Sequence, residues 1–509
     1  MLISGTAIST VILAISAILI GRFLGSELYG QYTLAISIPQ LLYLFTDLGI
    51  NQGVTKFTAA FNTKQETDRM FKVLKNALLL KALVGVLLFA INYALADILG
   101  QIFLQRPDLT FYIRIASLSI LFQVIFTTAS AAFVGLDKTE YSALTTNIQA
   151  LAKTIIQIAL VLLGLGLAGA VIGHAVSYIA AAGASAIIIL LLFRDKSGAT
   201  SSSNASKDFK NLVRYGAPLY VSILLTGFAP LFQNFVLANY VTDVQVGNYK
   251  AALNFATLVT VLSIPITTAL LPAFSKIDVA ATQKLRLFFK HANKYTAILI
   301  MPVTVLLIIY STQIVSVIYG PSYESAPLFL ATYCLLYFLV GIGYLTLQSL
   351  FNGVGQTKIT FIVNAITFVI ILALSPVMTR IYGVQGLIIA FLIASLAGTL
   401  YAFVKARQKY QIELDALSLL RIYLVSTVSA IPSVLVLFYT PLSHSVNLVV
   451  GGALYLLIYA TLTPMTGIIT FDELQTVSRI LRRIPVLGTI ARPILWYQKR
   501  VLTRRMHYM

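Results

Sequence analysis

Gln149, Lys153 and Gln157 recur at intervals of four within an otherwise apolar stretch, 141–163. On a helix that spacing places the three side chains on one face, as a polar stripe with an ammonium group at its centre. Twelve residues at a rise of 1.5 Å put Lys153 about 18 Å into a hydrocarbon core roughly 30 Å thick. A charge at that depth is costly, so it either serves an anionic ligand in a shielded cavity or closes a structural ion pair. Asp47 is the matching acid inside an apolar stretch, 31–55. It could bind a coupling cation or neutralise a lysine, and the second reading is favoured. Nine residues before Lys56, it lies about 14 Å from the same membrane face, a depth close to that of Lys153. The similar depths predict that Asp47 and Lys153 approach each other.

Other chemistry is thin. His174, His291, His444 and His507 are scattered without metal-ligand spacing, and His174 reads as a hydrogen-bonded core residue. Cys334 has no partner, which excludes an internal disulfide and makes it a packing residue. Glycosyl transfer would need carboxylates in the outer loops, which are short and nearly free of acids. The chain therefore reads as no enzyme, with no cofactor and no metal.

The elements that must carry these residues follow from composition. Of 509 residues 58% are hydrophobic and 10% charged, with a mean hydropathy of +0.88. Soluble proteins carry roughly 25% charged residues, so most of this surface must face lipid. Fourteen segments are long and apolar enough to span: 2–21, 31–55, 76–100, 111–135, 141–163, 167–193, 212–238, 247–274, 295–319, 326–351, 358–379, 384–404, 418–440 and 446–467. The first starts without a basic leader and ends at Gly21-Arg22 without a small-residue cleavage site, so it reads as a span. The net charge of +19 lies in short runs between apolar stretches, as in membrane loops, so no nucleic acid is expected. Even-numbered loops and the tail hold thirty Lys and Arg, counting Lys81 among them, and odd-numbered loops hold five. That bias places both termini in the cytoplasm.

A repeat runs through the chain. Gly30-Gln31-Tyr32 returns as Gly247-Asn248-Tyr249, Phe133-Val134-Gly135 as Phe351-Asn352-Gly353, and Gly166-Leu167-Ala168-Gly169 as Gly383-Val384-Gln385-Gly386, at offsets of 217 or 218. Six spans per copy is an even number, so the copies share one orientation, and such parallel repeats enclose a cavity whose access alternates. The expected fold is an all-α membrane protein. An N-terminal lobe, 1–193, is followed by a cytoplasmic linker, 194–210, with a flexible run at Ser201-Ser202-Ser203. A C-terminal lobe, 211–404, precedes two extra spans, 405–467, and a tail, 468–509. In the tail Leu474, Val477, Ile480, Leu481 and Ile484 alternate with Arg479, Arg482 and Arg483, a basic amphipathic helix suited to the anionic inner leaflet. Asn204-Ala205-Ser206 fits a glycosylation sequon, but its cytoplasmic position argues against use.

Four segments carry a resemblance. They are Gly21-Arg22-Phe23-Leu24-Gly25-Ser26-Glu27-Leu28-Tyr29-Gly30, Asp47-Leu48-Gly49, Tyr319-Gly320-Pro321-Ser322-Tyr323 and Phe351-Asn352-Gly353-Val354-Gly355. In these, and in the 6 + 6 + 2 arrangement of its spans, the chain resembles polysaccharide flippases of the multidrug/oligosaccharidyl-lipid/polysaccharide exporter superfamily. The resemblance implies two lobes around a central cavity that carries a lipid-linked oligosaccharide outward. Its anionic diphosphate needs cations, and Lys153 with Gln149 and Gln157 would supply one set. Lipid II flippases have cavity arginines on helices 1, 2 and 8, and the matching regions here hold Arg22, Lys56 and Lys250. Lysine at two of these positions removes bidentate phosphate contacts there. Arg214 is a fifth candidate cation, although for Arg22, Lys56, Arg214 and Lys250 a side chain snorkelling to headgroups is the simpler reading. A coupling cation is a further partner that the family implies. A cation-coupled multidrug exporter of the same fold is the alternative function, and a membrane glycosyltransferase or polymerase a weaker one.

Overall fold

In lipid a backbone amide has no water to bond, so it must be satisfied within its own helix. The computed structural model describes residues 2–193, 205–278, 282–440, 443–471, 473–475, 493 and 495–503, and among them there are helices and turns but no strand. The linker run Ser201–Ser203, Asn204 and most of the tail sequence from 476 lie outside the described residues. In chain order the helices are α1 (Leu2–Leu44), α2 (Ile50–Thr63), α3 (Thr67–Ala94), α4 (Thr110–Gly135), α5 (Thr139–Leu160), α6 (Gly166–Phe193), α7 (Ala205–Tyr240) and α8 (Asp243–Ser275). They continue as α9 (Thr282–Ile309), α10 (Ser311–Ile318), α11 (Ala326–Cys334), α12 (Thr346–Gly353), α13 (Thr357–Tyr410), α14 (Ala416–Val428), α15 (Ala430–Tyr439) and α16 (His444–Met465).

Eight helical stretches among the described residues are long and apolar enough to cross a membrane. They are nine when the pair Ala326–Ile342 and Thr346–Gly353, bent by 48°, counts as one. Large apolar side chains point outward, with Leu163 77% and Phe438 82% exposed, as a lipid solvent requires. The protein is a multi-pass membrane protein.

Two of these stretches are far longer than one crossing. Thr139–Phe193 has 55 residues and Thr357–Tyr410 has 54, which as straight helices would each measure roughly 80 Å. Each turns at a glycine: Gly166 has φ 48 and ψ −126, and Gly383 has φ 59 and ψ −142. That backbone region is essentially closed to residues with a Cβ. Beyond the turn the chain doubles back, because a Cβ on Gly169 would lie 2.9 Å from the Leu160 carbonyl carbon, and one on Gly173 2.7 Å from the Gln157 amide nitrogen. Gly386 returns in the same way against Met378.

The repeat is therefore written in backbone geometry as well as in letters. Gly135 lies against Thr55 and Thr58, and Gly353 against Leu271 and Ser275, positions related by the same offset within one or two residues. A Cβ on Gly30 would come within 1.9 Å of the Asp243 carbonyl oxygen, and one on Gly247 within 1.8 Å of the Ser26 carbonyl oxygen. Ser26 and Asp243 are themselves 217 residues apart, so the crossing of α1 and α8 is reciprocal. Helices in lipid associate through close packing, which small residues at the crossing permit.

By packing, the chain forms two compact units. The first comprises Met1–Asn254, Tyr319–Ser325 and Asn364–Phe391, and the second Phe255–Ile318, Ala326–Val363 and Leu392–Met509. One core of the first unit gathers Ile50, Val54, Phe61 and Leu74 around Phe133, with Phe57 and Phe71 packed against it. One core of the second gathers Phe274, Phe289, Leu285 and Phe351, with Phe288 at its side. Phe57 and Phe274, Phe71 and Phe288, and Phe133 and Phe351 are repeat mates, so the same aromatic positions fill both cores. Cys334 is free and fully buried, the packing residue that was expected.

Candidate functional site

The polar stripe of α5 faces inward. Gln149 is buried and donates to Ser177 Oγ of α6 at 3.2 Å. Gln157 is 1% exposed, and its Nε2 donates both to the Ala170 carbonyl at 2.6 Å and to the Tyr32 hydroxyl of α1 at 2.9 Å. Lys153, between the two glutamines and one turn from each, interacts electrostatically with Tyr178 and His174 of α6. Among the described residues its ammonium has no hydrogen-bond acceptor and no acid in ion-pair range. His174 is buried between Tyr32 and Tyr178, edge-on to both rings at 6.3 and 5.3 Å. Its Nδ1 makes no hydrogen bond among the described residues, so that part of the core-histidine expectation fails.

Lys153 and Gln157 open onto a cavity of about 240 Å³ in the first unit. The other walls are Ala17, Ile20, Tyr29, Tyr32, Thr33, Ile36 and Gln40 of α1, Asn234 of α7, and Lys250, Leu253 and Asn254 of α8. Lys250 donates to Asn234 Oδ1, a neutral acceptor, and lies 5.5 Å from the centre of the Tyr249 ring. Asn254 Nδ2 lies 2.9 Å from the Tyr29 hydroxyl and 2.8 Å from that of Tyr319. Two lysines thus line one cavity whose other polar walls are amides and hydroxyls. No acid is among them. Such a surface attracts anions and repels cations. Thr33 is the repeat mate of Lys250 and lines the same cavity, so the pseudo-symmetric positions differ by a charge.

The expected pairing of Asp47 with Lys153 is wrong. Asp47 Oδ1 accepts from Lys81 Nζ at 3.0 Å, and Asn51 Oδ1 accepts from the same ammonium at 2.9 Å. Lys81, counted above with the cytoplasmic loops, sits at the midpoint of α3 and is fully buried. The sequence did carry a signal: a lone lysine interrupts the apolar run Ala77–Val84. Depth alone could not choose between two lysines, because helical rise says nothing about which neighbour an azimuth faces. Asp47 is held where α1 breaks before α2, with Leu48 at φ 48 and Gly49 at φ 78.

The other predicted cations are elsewhere. Lys56 is exposed and lies over the Tyr215 ring, 3.6 Å from its centre. Arg214 and Arg22 are exposed on α7 and α1, and neither lines the cavity. Sequence reasoning missed Tyr29, Tyr32, Gln40, Asn234 and Asn254. Lys250 and Asn254 repeat the four-residue spacing that had marked Lys153 and Gln157, a signal available in α8. Among the described residues no group of three or more His, Cys, Asp or Glu side chains could hold a metal ion.

Comparison with known proteins places this architecture. A family model described as polysaccharide biosynthesis protein matches residues 1–278, more than half of the chain. The chain belongs to that family. A Shigella flexneri protein named as an O-antigen transporter is 22% identical over 392 residues, covering 76% of this chain and 91% of the relative. The lipid II flippase MurJ of Bacillus subtilis (strain 168) is 23% identical over 428 residues, 75% of each chain. Among solved structures, a lipid II flippase MurJ in an inward closed conformation aligns with a TM-score of 0.75 at 18% identity, over 91% of this chain and 98% of that one. An inward-facing multidrug resistance MATE transporter of the MOP superfamily aligns at 0.61 and 15% identity, over 79% and 94%. The relatives and fold neighbours are thus named as transporters and flippases.

Proposed function

We propose that the protein is a flippase that carries a lipid-linked oligosaccharide from the inner to the outer leaflet through a cavity open to each side in turn. The observation that carries the reading is the acid-free cavity with Lys153 from α5 and Lys250 from α8. Diphosphate on a polyprenyl carrier is a compact anion, and two ammonium groups in a medium of reduced dielectric attract it far more strongly than they would in water. The amides and hydroxyls around them suit the neutral, hydroxyl-rich sugars that follow. Gln149 supports the stripe from behind, through Ser177. Lys56 and Arg214 would meet phosphate only on the way in, at the cytoplasmic end, and Arg22 only on the way out, at the opposite end.

The proposed frame is that of fourteen spans with both termini in the cytoplasm, arranged as lobes 1–193 and 211–404 with 405–467 beside them. The glycine turns support this count, because each overlong stretch splits into two crossings. The basic tail, 468–509, would hold to anionic inner-leaflet lipid. Cysteines at Ser201–Ser203 are expected to resist impermeant thiol reagents in intact cells and to react in inverted vesicles. Labelling from outside would overturn the topology.

The function is tested in proteoliposomes containing a fluorescent polyprenyl-diphosphate disaccharide, by following the fraction that reaches the opposite leaflet. The wild-type protein should move the probe, while Lys153→Ala and Lys250→Ala should each lower the rate at least tenfold. A cation-coupled multidrug exporter is the second reading, favoured by the MATE-like fold. It predicts ethidium efflux driven by a cation gradient and no movement of the lipid probe. The acid-free cavity disfavours that outcome, since organic cations would meet two lysines.

A further inference from the structure

We infer that Tyr32 is a specificity-determining hydrogen-bond donor to an anionic oxygen of the transported substrate, and that Gln157 is the positioning residue that aims it. The inference rests on the flippase reading above and deepens it at one atom.

The orientation of the Gln157 amide is settled by chemistry. Its nitrogen lies 2.6 Å from the Ala170 backbone carbonyl, a group that can only accept. The atom there must therefore be the NH2, and the opposite assignment would set two acceptors against each other. The second hydrogen of that NH2 then points to the Tyr32 hydroxyl at 2.9 Å. Tyr32 is thus the acceptor in this bond, and its own proton must be given elsewhere. Among the described residues nothing receives it: neighbouring His174 makes no hydrogen bond to it, although its ring lies edge-on at 6.3 Å. Tyr32 is 5% exposed, so its unused donor does not face bulk water. A buried donor without a partner is unfavourable and uncommon in a native protein. What Tyr32 does face is the cavity that holds Lys153 and Lys250.

Tyr29 lines the same wall, but its case is open in the opposite sense. Its partner Asn254 also bonds Tyr319, and two phenols can each give or accept, so the direction of those bonds is not forced. Only at Tyr32 does a backbone carbonyl fix the whole chain from Ala170 through Gln157 to the phenol. The result is a preorganised O–H in a wall that also holds two ammonium groups. A donor in that company recognises an oxygen anion better than it recognises a sugar hydroxyl, because bonds to ionised oxygen are the stronger kind.

Tyr32→Phe removes the hydroxyl and keeps the ring. In proteoliposomes with the polyprenyl-diphosphate disaccharide, its KM is expected to rise about tenfold with kcat little changed, the loss that one hydrogen bond to a charged group brings. Gln157→Leu should raise KM by a similar factor, and the double variant should be no worse than either single one, because Gln157 acts through Tyr32. Tyr43→Phe is the control: that phenol donates to Thr127 Oγ1 at 2.9 Å, away from the cavity, and KM should stay at the wild-type value. If Tyr32→Phe keeps the wild-type KM while Lys153→Ala abolishes transport, the role of Tyr32 is refuted and the flippase reading stands. If Lys153→Ala and Lys250→Ala also transport normally, the flippase reading itself fails. Should Tyr32→Phe not fold, 3-fluorotyrosine at position 32 decides, since it is nearly isosteric and a stronger donor. A lower KM supports the inference and an unchanged one refutes it.

Discussion

Lys81 and Lys153 sit in the same packing unit, each inside a helix, and they are treated in opposite ways. Lys81 is fully buried, and its ammonium is matched by the Asp47 carboxylate and the Asn51 amide oxygen. Lys153 is given neighbours that are aromatic or amide and no acid at all. A charge whose counter-charge is built in has been made part of the scaffold. A charge left uncompensated at a cavity wall is available to something that arrives later, and the protein bears its desolvation until then. The contrast separates the two meanings of an intramembrane lysine more sharply than depth, which is all that sequence offers.

Tests at four sites sharpen that contrast, and on fold stability they should rank from large to none. Lys81→Ala leaves the partly buried Asp47 without its counter-charge and should destabilise the purified protein by about 2–3 kcal/mol. Asp47→Asn, which strands the lysine, should cost a comparable amount, while Asp47→Asn combined with Lys81→Met should recover most of it. A thermal or denaturant unfolding series would show this, and additive losses in the double variant would dissolve the pair. Arg106 bonds Asp243 Oδ1 at 2.7 Å and the Val241 carbonyl at 2.9 Å, with Gln31 also on Asp243. Being partly exposed, this cluster should lose about 1–2 kcal/mol in Arg106→Ala.

Smaller again is an acid effect at Glu473. Burial pushes its carboxyl up, but Lys294 at 2.8 Å and the Thr470 amide outweigh that and hold it below the ordinary 4.5. A depressed acid contributes stability above its unfolded value, and loses it as pH falls through the folded one. Unfolding midpoints should therefore drop below about pH 4.5 in wild type and drop less in Glu473→Gln. Last comes Lys153→Ala, which should leave the midpoint unchanged or raise it slightly while transport collapses. A Lys153→Ala protein as unstable as Lys81→Ala would erase the distinction.

Much of this was legible in advance, and for reasons that can be named. Apolar length found the all-helical class but drew one span, 31–55, across the break between α1 and α2. The repeat found its own turns, because a left-handed turn and a close crossing both demand glycine at Gly166, Gly383, Gly30 and Gly247. Lys153 and Gln157 were legible as inward-facing residues, since polar groups at four-residue spacing in an apolar helix must face away from lipid. Lys250 came only from the family resemblance, with snorkelling the simpler reading. The exposed Arg214 and Lys56 show the limit: a helix-end cation looks the same in sequence whether it turns inward or snorkels. Tyr32 was invisible as chemistry, for a tyrosine in an apolar helix usually packs, and only the amide of Gln157 reveals which way its proton goes. Asp47 was correctly read as one half of an ion pair and given the wrong other half, because pairing is decided by rotation about helix axes that composition does not encode.

The Asp47–Lys81 pair also bears on how the chain enters the membrane during synthesis. Presented alone to the insertion machinery, a lysine within a spanning segment is penalised, by up to roughly 2.5–3.5 kcal/mol at its centre, and so is an aspartate in the break that precedes α2. Asp47 has already emerged when Lys81, 34 residues later, leaves the ribosome. Both penalties are relieved at once if the segments pass sideways into lipid as a joined hairpin, acid against base, and neither is relieved if they pass one at a time. The order of events at birth is thereby biased: the segments that carry Asp47 and Lys81 enter the bilayer more easily together than singly.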